Sequence, residues 1–337
     1  MIGPGWDWST ADLGALAAFL AERGIVEGPI TTRRIGDGHS NLTFLVSGSR
    51  DVVVRRPPPP PVPTGAHDVL REARLLVGLA GTGLPVPRVL ATASAGEVID
   101  SPLYVMSHVL GEVVTTRTPA ALADAGPAIG VSLVDTLADL HAVDWRSPGL
   151  RELGRPEGFN GRHLRRMRGL VEDGAGRLPG AFVDVAAWLE AHVPVESGAS
   201  LVHNDYRLGN VILGPTGAVA AVLDWELATI GDPLFDVGYF LASWPAHGEP
   251  LTPTAELGRA ALDPGYPTRD QLARRYAART GRDLTGLSWY TTLALWKLAV
   301  LFEYNHRRAA TGHGDPYYAD PALVRSFLAA AGRSAGR

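Results

Sequence analysis

Cysteine is absent from the 337 residues, which excludes disulfides, thiolate metal sites and cysteine nucleophiles. Lysine is nearly absent too: Lys297 is the only one among 31 basic residues, so the remaining cations are arginines. A phosphate-binding loop ending in Gly-Lys-Ser/Thr is therefore excluded, because Trp296 precedes the sole lysine. No run of about 18 apolar residues occurs, so no membrane span is expected. Residues 1–8 lack a basic stretch followed by an apolar core and do not read as a signal peptide, and the expected location is cytoplasmic. A large excess of either charge is also missing. Lys and Arg number 31 against 35 Asp and Glu, a formal charge of −4, which gives no global reason to expect nucleic acid or an anionic membrane as partner. His-Glu-x-x-His does not appear, which removes one common hydrolase design.

What is present is an ordinary globular composition, 46% hydrophobic, with 39 glycines and 26 prolines. The length suits two domains or one bilobed unit. Ser9 and Thr10 are caps for a helix running to about Gly24. Thr31-Thr32-Arg33 precedes a glycine-containing turn, Ile35-Gly36-Asp37-Gly38-His39-Ser40-Asn41, and residues 42–46 and 51–55 read as hairpin strands. Prolines 57–61 form a stiff connector. A helix over 67–79 and strands over 86–91 and 103–109 complete a β-β-α-β-β pattern. Beyond Gly111 helical stripes dominate, over 128–141, 162–171, 182–192, 270–280 and 287–308. An extended patch intervenes near 201–202, 211–213 and 219–223. There is no internal repeat and no long linker, and the boundary near 108–111 reads as a hinge.

The chemistry concentrates in His203-Asn204-Asp205-Tyr206-Arg207-Leu208-Gly209-Asn210, followed by Asp224-Trp225-Glu226. Asp205 and Asn210 share a loop between extended segments, and Asp224 ends an apolar run that can aim its carboxylate. Oxygen ligands from Asn and Asp suit a hard cation such as Mg²⁺. The remaining Asp can orient a substrate hydroxyl and accept its proton late in transfer. The alternative for any one of these acids is a solvated surface role.

The spacing His-x-Asp-x-x-x-x-Asn, with a later Asp on the next hairpin, is similar to the catalytic loop and metal-binding Asp of protein kinases. The wording around it resembles the aminoglycoside phosphotransferase and choline kinase superfamily, in the branch with Asp-Trp-Glu where kinases carry Asp-Phe-Gly. That resemblance implies an α+β, bilobed protein-kinase-like fold. Residues 1–107 would form a small antiparallel-sheet nucleotide-binding lobe, and 108–337 a larger, mainly helical lobe. It also implies an ATP- and Mg²⁺-dependent transfer of the γ-phosphate to a hydroxyl of a small molecule.

By resemblance Asp205 is the catalytic base, while Asn210 and Asp224 hold Mg²⁺ between the nucleotide phosphates. Asp236 would hydrogen-bond the catalytic-loop backbone, and His203 would pack to hold that loop. Glu226 is either a support for the metal site or a surface carboxylate. Arg207 either steadies a phosphate or pairs with a local acid. Upstream, Ser40 and its glycine turn would cover the phosphates. Alternation along 52–55 puts Val53 and Arg55 on one face. Val53 would roof the adenine and Arg55 reach the α- and β-phosphates, with Glu72 as its partner. Arginine there replaces the usual lysine. Met106 would line the adenine pocket, and backbone groups of Ser107 and Val109 would bond the base.

The acceptor is read from charge. Residues 146–177 and 245–337 are rich in arginine, which disfavours a polycation and favours an anionic or neutral alcohol, unless these arginines only solvate helix faces. The Asp-Trp-Glu branch resembles hydroxyacyl-CoA kinases associated with acyl-CoA dehydrogenases, so a hydroxyacyl-CoA is the expected acceptor. An aminoglycoside phosphotransferase, or a nucleotide-binding pseudokinase without transfer activity, is the alternative. The oligomeric state is not readable from the sequence.

Overall fold

The computed structural model describes residues 8–36, 41–59, 67–312 and 315–336. Its chain divides into two compact units. One comprises the residues up to Leu110 together with Leu223–Glu226, and the other comprises Gly111–Val222 and Leu227–Arg337.

In the first unit, helix α1 (Thr10–Glu22) starts where the Ser9 hydroxyl accepts the Asp12 N–H at 3.1 Å, relieving one unpaired donor of the first turn. Five strands follow: β1 (Thr31–Arg34), β2 (Leu42–Ser47), β3 (Asp51–Arg56), β4 (Val89–Ala93) and β5 (Leu103–Ser107). They form an antiparallel sheet in the order β1-β2-β3-β5-β4, with helix α2 (Val69–Leu79) between β3 and β4 in sequence. The β-β-α-β-β expectation is one strand short. Strand β1 is polar and lies at the sheet edge, alternating exposed and half-buried, so no apolar alternation announces it.

Strand β2 alternates strictly, with Leu42, Phe44 and Val46 buried. Strand β3 is central and buried from Val52 onward, which is why its apolar run is continuous. Val46, Val52, Val54, Leu103 and Val105 form one core with Leu16, Phe19 and Leu20 of α1 and with Ile25 and Val26. Burying each such large side chain stabilises by about 1.5–3 kcal/mol. The opposite face carries Val53 and Arg55, with Met106 and Tyr104 directly across from them on β5. Helix α2 packs against β4 and β5.

The second unit contains α3 (Gly126–Ala142), α4 (Phe159–Gly169), α5 (Gly180–Ala191), then the short strands β6 (Ser200–Val202), β7 (Val211–Leu213), β8 (Val219–Val222) and β9 (Thr229–Gly231). Strand β7 pairs with β8 and β6 with β9, both antiparallel. Helices α6 (Pro233–Ser243), α7 (Pro253–Glu256), α8 (Arg269–Thr280), α9 (Leu287–Ala310) and α10 (Pro321–Ser334) complete it. Helix α6 is buried along its whole length and lies against α9. Gly238 makes that approach possible: a Cβ there would sit 2.6 Å from the Tyr290 carbonyl carbon. Among the described residues no helix is long and apolar enough to cross a membrane.

Candidate active site

The residues singled out by the sequence fall into two clusters, one in each unit. In the first unit, the Arg55 guanidinium lies 3.0 Å from Glu72 Oε2 through Nε and 2.5 Å from Asp224 Oδ1 through Nη2. Strand β3 supplies Arg55 and helix α2 supplies Glu72. The short segment Leu223–Glu226 supplies Asp224, whose φ of +66° holds a non-glycine residue in the left-handed region. Glu72 also accepts the Trp225 N–H at 3.2 Å through Oε1, tying that segment to α2.

Arg55 and Glu72 are buried, at 8% and 2% exposure. Burial would lower the Arg55 pKa, but Glu72, Asp224, Tyr104 and Glu226 together raise it above its ordinary value. Burial, with the nearby Asp224 charge, raises that of Glu72, against the opposing pull of Arg55 and the Trp225 N–H. Glu226 accepts from the Asn41 amide at 3.1 Å, and its carbonyl accepts from Arg71 at 3.2 Å. It is therefore woven into this cluster rather than standing as a surface carboxylate.

Val53 and Met106 are buried register partners on the same sheet face as Arg55. The Ser107 N–H is already used: it donates to the Arg88 carbonyl at 2.8 Å, while Ser107 Oγ accepts the Arg88 N–H at 2.9 Å. Of the two backbone groups of Ser107, that leaves only the carbonyl for a base. Val109 follows the end of β5, outside regular structure. Ser40 lies outside the described residues.

In the second unit the loop 203–210 runs from β6 to β7. The buried Asp236 carboxylate of α6 accepts the N–H of His203 at 2.6 Å and that of Asn204 at 2.8 Å, the backbone-holding role expected of it. Burial would raise the Asp236 pKa, but a hydrogen bond with His141 at 3.3 Å, together with His203, holds it below its ordinary value. His141 is held down, first by burial and against the pull of Asp236. Its other ring nitrogen meets the Tyr276 hydroxyl at 2.7 Å. His203 is fully buried, and its Nδ1 accepts the Asp205 N–H at 3.2 Å, so it braces the loop.

Asp205 and Asn210 are brought together. The Asn210 amide donates to Asp205 Oδ2 at 2.7 Å and to the Asp205 carbonyl at 2.9 Å. These bonds employ Nδ2 and leave Oδ1 as the atom of Asn210 suited to a cation. Two further residues touch Asp205 Oδ1: the Tyr239 hydroxyl donates to it at 2.5 Å, and Arg207 Nε lies 3.5 Å away. Arg207 thus pairs with a local acid. Sequence reasoning missed Tyr239, one of the residues of the uniformly buried helix α6. It also missed Lys297, whose ammonium is buried in α9 and donates to the Asn204 carbonyl at 2.8 Å. The signal for Lys297 was its position: a single lysine inside an apolar helix.

The arginine count overstated the free positive charge. Arg259, Arg269, Arg275, Arg279 and Arg307 each pair with a carboxylate, as does Arg168 with Glu172 and Glu190. Arg165 and Arg166 of α4 remain exposed.

Comparison with known proteins places the chain in a family. Human acyl-CoA dehydrogenase family member 11 is 31% identical over 306 residues, covering 88% of this chain and 38% of that protein. The chicken protein of the same name is 38% identical over 218 residues, covering 63% of this chain and 28% of its own length. The chain therefore spans well under half the length of these curated relatives. A solved structure of a Ralstonia eutropha protein, classed with the aminoglycoside phosphotransferases, superposes with a TM-score of 0.77 at 29% identity, covering 96% of this chain and 98% of that one. The model of the phosphotransferase enzyme family matches residues 31–290, more than half of the sequence, and the chain belongs to that family.

Proposed function

We propose that the protein transfers the γ-phosphate of ATP to a hydroxyl of a small molecule, with Asp205 as the base and residues 1–107 as the nucleotide-binding part. The observation that carries this reading is the Asp205 carboxylate, fixed at Oδ2 by the amide of Asn210 five residues later. In the reaction the acceptor oxygen forms a bond to the γ-phosphorus as the bond from that phosphorus to the β–γ bridging oxygen breaks, and the hydroxyl proton passes to Asp205. ADP leaves carrying the bridging oxygen. Such base assistance is worth about 10²–10⁴ in rate, and the rest comes from alignment and charge.

Arg55 is the phosphate-binding cation of this reading. Its fork lies against Glu72 and Asp224 and replaces a lysine's point charge with a planar, permanently charged group. Val53 and Met106 would line the adenine, the Ser107 carbonyl and Val109 backbone would bond its edge, and Ser40 would face the phosphates.

Magnesium fits the donors available. Asp224 offers a carboxylate with a partly exposed side chain, and Asn210 offers Oδ1, both hard oxygens. These two side chains would hold the ion, which supplies charge neutralisation of the phosphates when bound. Few protein ligands suit Mg²⁺, which keeps several waters and nucleotide oxygens in its shell.

For the acceptor we favour a hydroxyacyl-CoA. The support is the name shared by relatives that carry a chain like this one within a longer protein named for acyl-CoA dehydrogenation. With so many arginines paired, charge alone no longer argues for an anion. The test is ADP release with Mg·ATP against a panel of 3- and 4-hydroxyacyl-CoAs, aminoglycosides, choline and sugars. Turnover confined to an aminoglycoside would overturn the acyl-CoA reading, and Mg·ATP binding without transfer to any acceptor would point to a pseudokinase.

A further inference from the structure

The chain's single lysine sits behind the loop that carries Asp205. Lys297 Nζ donates to the Asn204 carbonyl at 2.8 Å, and it lies 5.1 Å from the centroid of the Phe235 ring and 5.2 Å from that of Tyr239. Asn204 occupies the left-handed region, with φ +66°, a conformation that costs energy and persists only where its surroundings hold it. Its surroundings do so at every polar position of the backbone. Asp236 takes the Asn204 N–H, Lys297 takes its carbonyl, and His203 takes the next N–H, that of Asp205. The Asn204–Asp205 peptide plane is thereby clamped from both sides. The tyrosine under the same ammonium donates to Asp205 Oδ1.

We propose that Lys297 is a positioning residue for catalysis: its buried ammonium fixes the Asn204–Asp205 peptide and the Tyr239 ring, and through them the direction of the Asp205 carboxylate. This rests on the reading of Asp205 as the base. In this role Lys297 acts through its neighbours, the Asn204 carbonyl and the Tyr239 ring.

The arrangement carries its own pH sensitivity. The charged groups facing the ammonium come from three other elements: Asp205 from the loop, Asp236 from α6, and Arg166 and His163 from α4. Burial pushes the lysine down to about 8, against the pull of the two carboxylates and with a small further push from Arg166. Below pH 8 the lysine is charged and donates. Above it the group turns neutral and the grip on the Asn204 carbonyl weakens, so turnover falls as pH rises through that region.

Because the chain holds one lysine, protein labelled with side-chain ¹³C- or ¹⁵N-lysine gives one side-chain signal, and its titration reads Lys297 directly. The experiment pairs that titration with ATP turnover of the full chain, followed as ADP release with water or a hydroxyacyl-CoA as acceptor, for wild type, Lys297→Met, Lys297→Arg and Asp205→Asn. Hydrogen exchange of the 203–210 backbone is recorded in parallel. The expected result is a lysine signal titrating near pH 8 together with an alkaline loss of wild-type kcat. Lys297→Met should lower kcat by about 10–100-fold, the scale of a small misplacement of a reacting group, with the KM for ATP little changed, the alkaline limb absent and faster exchange in 203–210. Lys297→Arg, which keeps the charge, should recover part of kcat and lose the limb near pH 8.

A lysine signal titrating at its ordinary value, or a Lys297→Met variant with wild-type kcat, pH profile and loop exchange, overturns the inference while Asp205→Asn remains inactive. Full turnover in Asp205→Asn instead overturns the assignment of the base.

Discussion

Asp205 and Arg55 are surrounded by partners that make opposite demands on a substitution. Asp205 is 20% exposed at its side chain and bonded by Asn210 and Tyr239, so Asp205→Asn preserves shape and removes the proposed proton acceptor. We expect kcat to fall by about 10²–10⁴ with the KM for ATP nearly unchanged, which steady-state kinetics at saturating acceptor will check. Arg55 is buried between two acids, and Arg55→Ala leaves Glu72 buried beside Asp224 with no cation. Breaking a buried pair in this way costs about 3–5 kcal/mol, so chemical denaturation should show a clear loss for Arg55→Ala. Arg55→Lys keeps the charge but loses the fork, and should raise the KM for ATP with a smaller loss of stability.

At the scale of elements, the support for the loop 203–210 is acid-labile. Asp236 is held below its ordinary value of 3.8 and His141 below its ordinary 6.5. For the carboxylate, the unfolded chain binds the proton more readily once pH approaches 3.8. For the imidazole, it does so already below 6.5. Both groups therefore favour unfolding as pH falls, the histidine first. The urea midpoint should drop between pH 7 and pH 4, and His141→Gln should flatten the upper part of that drop. A midpoint indifferent to pH over this range would contradict the geometry around α6.

The same helix explains what could and could not be read from the chain. The loop 203–210 declares itself because its polar residues sit at fixed spacing between apolar strands, and α3, α8 and α9 follow from their stripes. Helix α6 has no stripe, since all eleven of its residues are buried and a 3.6-residue period needs a solvent side. Tyr239 and its bond to Asp205 were hidden with it. The positive φ at Asn204 and Asp224 is equally silent in sequence, because asparagine and aspartate tolerate that region without requiring it. Lys297 was visible as an oddity, but which carbonyl it meets depends on how α9 packs on α6.

For the whole molecule, nucleotide binding and folding are linked. A ligand at a hundred times its Kd stabilises the bound form by about 2.7 kcal/mol, so Mg·ATP should raise the thermal midpoint of the wild type. If Asp224 holds the ion, Asp224→Ala should abolish that rise at the same nucleotide concentration, whereas Asp205→Asn should retain it. Calorimetry with and without Mg²⁺ separates the two.

Leu223–Glu226 belongs to the first unit although the residues on either side of it belong to the second. During synthesis Arg55 and Glu72 emerge from the ribosome well over a hundred residues before Asp224 and the Trp225 N–H that complete their cluster. A fragment cut after Leu110 would keep the Arg55–Glu72 pair yet lack the second carboxylate, that of Asp224, and the Trp225 N–H that Glu72 accepts. Circular permutation or domain transplantation that respects residue 110 as a border must therefore carry this tetrapeptide along.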